Sequence, residues 1–145
     1  NIVLRYIDQI PASGITEEDR SMIKGEALFL RGYQYFLLVN NYKEVPLRLI
    51  PSNEDETNNC SATEAALWAQ VEEDLDNAIK CNLPVERSTT KERITKGAAI
   101  AMLGKVYATQ HKYPEAKQLL GTLLKAPYSY ELMDNFEKNF KIQLV

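Results

Sequence analysis

The stretch from Ile100 to Pro127 leaves this chain few ways to fold. It runs Ile100-x-x-Leu103-Gly104-x-x-Tyr107, then Ala116-x-x-x-Leu120, then Pro127. Ile100, Leu103 and Tyr107 stand at i, i+3 and i+7, the spacing that gathers side chains on one face of an α-helix. Gly104 adjoins that face without a side chain, so a second helix can approach closely there. Tyr113-Pro114 stops the first helix. Pro114 suits the first turn of the next, where its missing N–H loses no partner. Ala116, Leu119, Leu120, Leu123 and Leu124 then form the apolar stripe of a returning helix. The spacing predicts an antiparallel helix pair over 95–126, with Thr95 as its first cap.

A weaker copy lies upstream. Leu28-x-x-Arg31-Gly32-x-x-Tyr35 echoes Ile100 to Tyr107, with arginine where an apolar residue is expected. It sits in a helix predicted from Thr16 to about Asn41. Thr16 caps that helix, and Glu17, Glu18 and Asp19 complement the positive end of its dipole. Gly25, Phe29, Gly32, Phe36 and Val39 repeat at spacings of 4, 3, 4 and 3, a seam for a close neighbour. Ile23, Ala27, Leu30 and Leu37 make a second apolar face, which predicts burial on two sides. Ser61-x-x-Glu64 has the form of a capping box and opens a helix bearing Trp68, Val71, Leu75 and Ala78 on one face. Glu72, Glu73, Asp76 and Lys80 lie away from that face. This is the return helix of a first pair over 17–81, displaced by a long connection over 43–62. In that connection Pro46 forces Val45 into an extended conformation. Val3, Leu4, Ile7 and Ile10 form a short amphipathic helix ahead of the turn Pro11–Gly14. After Pro127, Tyr128-Ser129-Tyr130 reads as extended and Glu131 to Phe140 as a last short helix.

The order of these residues is similar to the tetratricopeptide repeat, in which stacked helix pairs bury a shared core. The expected fold is all-α: tetratricopeptide-like antiparallel helix pairs in a single helical domain over 1–145. Two pairs are fewer than the three or so such arrays need. The remaining apolar surface is expected to be covered by Asn1 to Ile10, by the tail, by an oligomer, or by further sequence. The chain, which opens on Asn1, is expected to be a piece of a longer protein.

Composition narrows the functional classes. With 45% hydrophobic and 26% charged residues and a net charge of -3, this is an ordinary globular composition. No basic stripe points to nucleic acid, and no apolar run approaches the ~18 residues of a membrane span. Cys60 and Cys81 bracket a helix long enough to hold them about 25 Å apart. A disulfide needs Cα atoms within ~7 Å, so two free thiols are expected. The single histidine, His111, has no partner at metal-ligand or nucleophile spacing and falls where a helix end needs capping. The polar run 53–59 lacks the glycine pivot and terminal glutamate of a calcium loop, so it reads as solvated surface. Glu17-Glu18 and Glu72-Glu73 are neighbours on solvated faces rather than opposed across a cleft. Catalytic, cofactor and metal sites are therefore not expected.

Aromatic residues are the remaining candidates for ligand contact. Tyr33, Tyr35, Phe36, Trp68 and Tyr107 fall at core spacing. Tyr42, Tyr128 and Tyr130 lie at helix ends or in loops and are the candidate ligand-binding residues. Arg31, amid apolar neighbours, is expected to meet a buried carboxylate or helix-end carbonyls.

Several stretches taken together resemble one family. They are Gly25-Glu26-Ala27-x-Phe29-Leu30-Arg31-Gly32-x-x-Tyr35-Phe36, Tyr42-x-x-Val45-Pro46-Leu47, and Val71-x-x-Asp74-Leu75-x-x-Ala78 with Leu83-Pro84. Then come Thr95-Lys96-Gly97-Ala98-Ala99-x-Ala101-x-Leu103-x-Lys105-Val106-Tyr107 and Tyr113-x-x-Ala116. In this order they look like the SusD/RagB family of Bacteroidetes nutrient-binding outer-membrane lipoproteins, over nearly all of Ile2 to Phe136. Lys43-Glu44 departs from the Gly-Asp that the family usually places before Val-Pro. The resemblance implies a tetratricopeptide-like scaffold, an N-terminal lipid anchor and an outward-facing position at the outer membrane. It also implies oligosaccharide binding without catalysis, beside a SusC-like TonB-dependent transporter. No position matches a family ligand motif, and the family's members are several times longer. The alternative is a free-standing tetratricopeptide adaptor that holds a peptide in its groove.

Overall fold

The computed structural model describes residues 1–51, 60–87, 90, 92–128, 130, 131, 134 and 135. Among them are five α-helices: α1 (Ile2–Tyr6), α2 (Glu17–Tyr42), α3 (Glu64–Lys80), α4 (Lys96–Thr109) and α5 (Tyr113–Leu120). Short 3₁₀ turns follow α1 at Ile7–Gln9 and α5 at Gly121–Leu124. The all-α, paired-helix expectation holds. The polar run 53–59 and most of the expected last helix lie outside the described residues.

Caps fix the helix starts. Thr16 Oγ1 accepts the Asp19 N–H at 3.1 Å and donates to Asp19 Oδ2 at 2.7 Å. Thr95 Oγ1 accepts the Ala98 N–H at 3.2 Å. At α3 the cap is Thr63, which accepts the Ala66 N–H at 3.3 Å, and not the expected Ser61. Ser61 is drawn into a bridge with Pro46, and the Ala62 N–H bonds to the Val45 carbonyl at 3.0 Å. The connection is thus tied to itself before α3 begins, and Glu64 becomes the first helical residue. Pro114 sits in the first turn of α5, as expected. His111 ends α4 in the left-handed region (φ 61°), its N–H bonded to the Ala108 carbonyl at 3.1 Å.

Consecutive helices pack antiparallel: α2 on α3, α3 on α4, α4 on α5. The core joins Tyr35, Phe36 and Val39 of α2 to Leu67, Val71 and Leu75 of α3 and to Met102, Leu103 and Val106 of α4. A second cluster, Leu28, Ala78, Leu83 and Ala99, lies nearer the start of α2. Gly32 is where α3 comes closest: an added Cβ would stand 3.1 Å from Leu75 Cγ and 3.2 Å from Asp74 Cβ. At Gly104 it would fall 2.5 Å from Leu120 Cγ of α5.

The second face of α2 corrects the expectation. Leu30 is 52% exposed and Leu37 is also exposed, as is Leu38 beside them; Tyr33, expected in the core, is exposed too. A helix apolar on two sides is buried twice only where two neighbours exist, and α1 covers just one end of that face. The tail differs too: Tyr128 lies in a turn, its N–H on the Lys125 carbonyl at 3.0 Å, rather than in an extended run.

Arg31 does meet a carboxylate. Its Nε and Nη2 bond to the two oxygens of Asp74 at 2.8 and 2.6 Å, and Gln70 adds a bond at 3.0 Å. Asp74 is 1% exposed. The paired carboxylate raises the Arg31 guanidinium above its ordinary value, mainly through these hydrogen bonds, against the opposing effect of burial. Arg20 works similarly at the N-terminal segment, donating to the carbonyls of Ile7 and Ile10. Cys60 and Cys81 are not joined in a disulfide.

Candidate functional site

The expected ligand residues divide between the two ends of the helix array. Tyr128 and Tyr130 stack, ring centres 6.1 Å apart and planes inclined at 24°. The Tyr130 N–H is held by the Leu123 carbonyl at 2.9 Å, and its ring lies against Gly97 at the start of α4. Any side chain at Gly97 would displace that ring. Burial raises the Tyr128 phenol, with Tyr130 adding to the effect. This is the end where Arg87 and Arg93 reach Glu26 of α2 at 2.5 and 2.6 Å. Tyr42 is elsewhere. It is 69% exposed and lies about 24 Å further along α2 than Glu26 at the α-helical rise. The three tyrosines therefore do not form one site.

The end of the array that carries Tyr42 holds an open groove of about 580 Å³ that sequence reasoning did not find. Glu64, Ala65, Trp68, Ala69 and Glu72 of α3 line one wall; Gln110 and Lys112, from the turn between α4 and α5, line the other. Trp68 packs edge-on against Phe36, centroids 6.0 Å apart, and its Nε1 donates to Glu64 Oε1 at 3.2 Å. Lys43 donates to the same oxygen at 3.0 Å. These donors, Lys43 foremost, hold the Glu64 carboxyl below the usual carboxylate range. Glu72, expected on a solvated face, has a side chain only 23% exposed. Its Oε1 accepts from Gln110 at 2.6 Å and from Lys112 at 2.5 Å. The Lys112 ammonium also lies 5.8 Å from the centre of the Tyr107 ring. Only the i, i+4, i+8 spacing of Glu64, Trp68 and Glu72 was visible in the sequence. The opposite wall comes from residues some forty positions away.

A third surface runs between α2 and α4, where Phe29 stacks on Tyr33 (6.3 Å, 8°) beside Ala98, Ala101, Met102 and Lys105. It is a shallow apolar groove of about 390 Å³. Among the described residues no group of three His, Cys, Asp or Glu side chains is placed to hold a metal. No helix among them is long and apolar enough to cross a membrane.

A laminarin-binding SusD-like protein is 33% identical, with a TM-score of 0.87 over 97% of this chain and 31% of its own. A SusD superfamily protein from Bacteroides vulgatus is 33% identical, with a TM-score of 0.85 over 98% of this chain and 30% of its own. A SusD-like protein from Bacteroides fragilis is 30% identical, with a TM-score of 0.77 over 91% and 26%. The chain thus spans about a third or less of the length of these relatives. No curated protein matches it. The SusD-like family model, described as starch-binding and associating with the outer membrane, matches residues 1–108. The chain belongs to the SusD-like family.

Proposed function

We propose that this chain is the helical scaffold of a non-catalytic, glycan-binding protein at the outer membrane. It is held there by a lipid anchor and works beside a TonB-dependent transporter in oligosaccharide uptake. The observation that carries this reading is the match along 97% of the chain to a laminarin-binding relative. The exposed aromatic side chains fit a binding role, since flat rings stack on the apolar faces of sugars while polar groups fix orientation. The stacked pair Tyr128 and Tyr130 is the proposed contact at one end, and Tyr42 is a separate candidate at the other. Exposed Leu30, Leu37 and Leu38 on α2 supply apolar area of the kind that protein contacts use, and the transporter is the proposed partner there.

The exposed rings Tyr6, Tyr33, Tyr42, Tyr113 and Tyr130 are not gathered into one concavity, so binding by this chain alone should be weak, at millimolar ligand. Titration with laminari- and malto-oligosaccharides, followed by NMR, tests this. Tyr130→Ala should weaken binding while leaving the thermal melt close to that of the parent. Absence of any response to either series, in a folded protein, would overturn the glycan reading. Binding tighter than micromolar would overturn the expectation of a weak site.

A further inference from the structure

We propose that the groove between α3 and the α4–α5 turn is a contact site for a neutral oligosaccharide, built on Trp68, Glu64, Glu72, Gln110 and Lys112. This rests on the glycan-binding reading and assigns it a second place on the molecule, at the opposite end from Tyr128 and Tyr130.

Three features carry the inference. The first is rigidity. Trp68 is fixed on one side by Phe36 and at its Nε1 by Glu64, so the indole is ordered before any ligand arrives. The second is the pattern of unused acceptors. Both donors to Glu64 bond its Oε1, and both donors to Glu72 bond its Oε1. The Oε2 atom of each carboxylate has no partner among the described residues. Glu64 and Glu72 are two turns apart on one face of α3, about 12 Å along the axis, with Trp68 midway. Two acceptors flanking an indole at that distance match the length of a disaccharide laid along the helix. The Gln110 amide and the Lys112 ammonium add donors on the facing wall, so hydroxyl groups are met in both senses. Ala65 and Ala69 keep the floor low.

The third feature is charge. Glu64 is paired with Lys43, and Glu72 with Lys112. The two anions and two cations balance, so the groove favours neither a cation nor an anion. A neutral polyhydroxyl ligand exploits the hydrogen bonds without stranding a charge. An anionic sugar would have to face both carboxylates.

The chain has one tryptophan, so its single indole N–H resonance and its fluorescence report on this groove alone. The 145-residue chain is titrated with laminaritriose and maltotriose, and total binding is followed by the backbone amide spectrum. The expected result is a shift of the Trp68 indole signal that saturates with at least one sugar. Glu72→Gln should weaken that binding about tenfold, the effect of losing one charge-assisted hydrogen bond. Ala69→Leu, at an exposed helical position, should block the floor and abolish the indole response with the melt unchanged. Shifts confined to Tyr128, Tyr130 and their neighbours, with Trp68 unmoved, would overturn the groove and leave the glycan reading intact. No shift anywhere with either sugar would overturn both.

Discussion

The two helix pairs are held by different means. α2 and α3 share the widest contact in the fold, and inside it lies the Arg31–Asp74–Gln70 network, almost closed to water. α4 and α5 meet through shape: Gly104 takes the Leu120 side chain against its backbone, and Ala116 is the buried residue of α5. No ion pair joins α4 to α5 among the described residues. The first pair thus carries a polar lock that admits one arrangement. The second rests on an apolar fit that tolerates adjustment. Buried ion pairs contribute little net stability, but breaking one by removing a single partner is costly because the other charge is left stranded.

The largest expected effect follows. Arg31→Ala should destabilise the fold by roughly 3 kcal/mol in a urea melt, because Asp74 cannot reach water. Replacing Arg31 and Asp74 together with Met and Leu should recover most of that loss. If Arg31→Ala leaves the melt unchanged and alters only sugar affinity, the lock is a binding residue and the contrast between the pairs collapses.

A smaller effect sharpens the comparison. Gly32→Leu and Gly104→Leu both overpack a close approach, at about 1–3 kcal/mol. Gly32 should lie at the upper end, since it faces Leu75 and Asp74, which are buried and fixed. Gly104 should lie at the lower end, because Leu120 is 36% exposed and can swing outward. Equal losses in matched melts would show that the second interface is as rigid as the first.

What the sequence made legible divides along the same line. The helix pairs, the caps at Thr16 and Thr95, Pro114 and the carboxylate partner of Arg31 all follow from local spacing and the requirement that buried charge be paired. The exposure of Leu30 and Leu37 was not legible, because an apolar stripe records that a face can be covered and not that a neighbour is present. Thr63 displaced Ser61 as a cap because a bridge to Pro46, 15 positions upstream, claimed that backbone first. The groove at Trp68 stayed hidden for a related reason. Glu72 looks solvated until the turn after α4 brings Gln110 and Lys112 against it. Tyr128 and Tyr130 were singled out for lying in a loop, and the seating of Tyr130 against Gly97 depends on a helix start some thirty positions earlier.

The smallest effect concerns pH and sets an exposed ion pair against the buried one. Lys43 joins the end of α2 to Glu64 at the start of α3, with both side chains open to solvent. The Glu64 carboxyl is held below its ordinary value, first by the Lys43 bond and then by the Trp68 N–H. A depressed carboxyl contributes stability that is present above its unfolded pKa and is lost as pH falls through its folded pKa. Acidification should therefore release Trp68 and Lys43 from Glu64 only below the usual carboxylate range. Solvent screens this pair, so the global melt should hardly register the step. The carboxyl carbon resonance of Glu64 and the indole N–H of Trp68 should titrate together. Lys43→Met should move that titration upward part of the way, because the indole donor remains. Arg31→Ala, in the fraction that stays folded, should leave it in place. If Lys43→Met does not move the Glu64 titration, the bond from Lys43 is not what depresses the carboxyl. The α2–α3 pair would then be joined at this end by the Phe36–Trp68 contact and the buried Val39 and Leu67, without help from the ion pair.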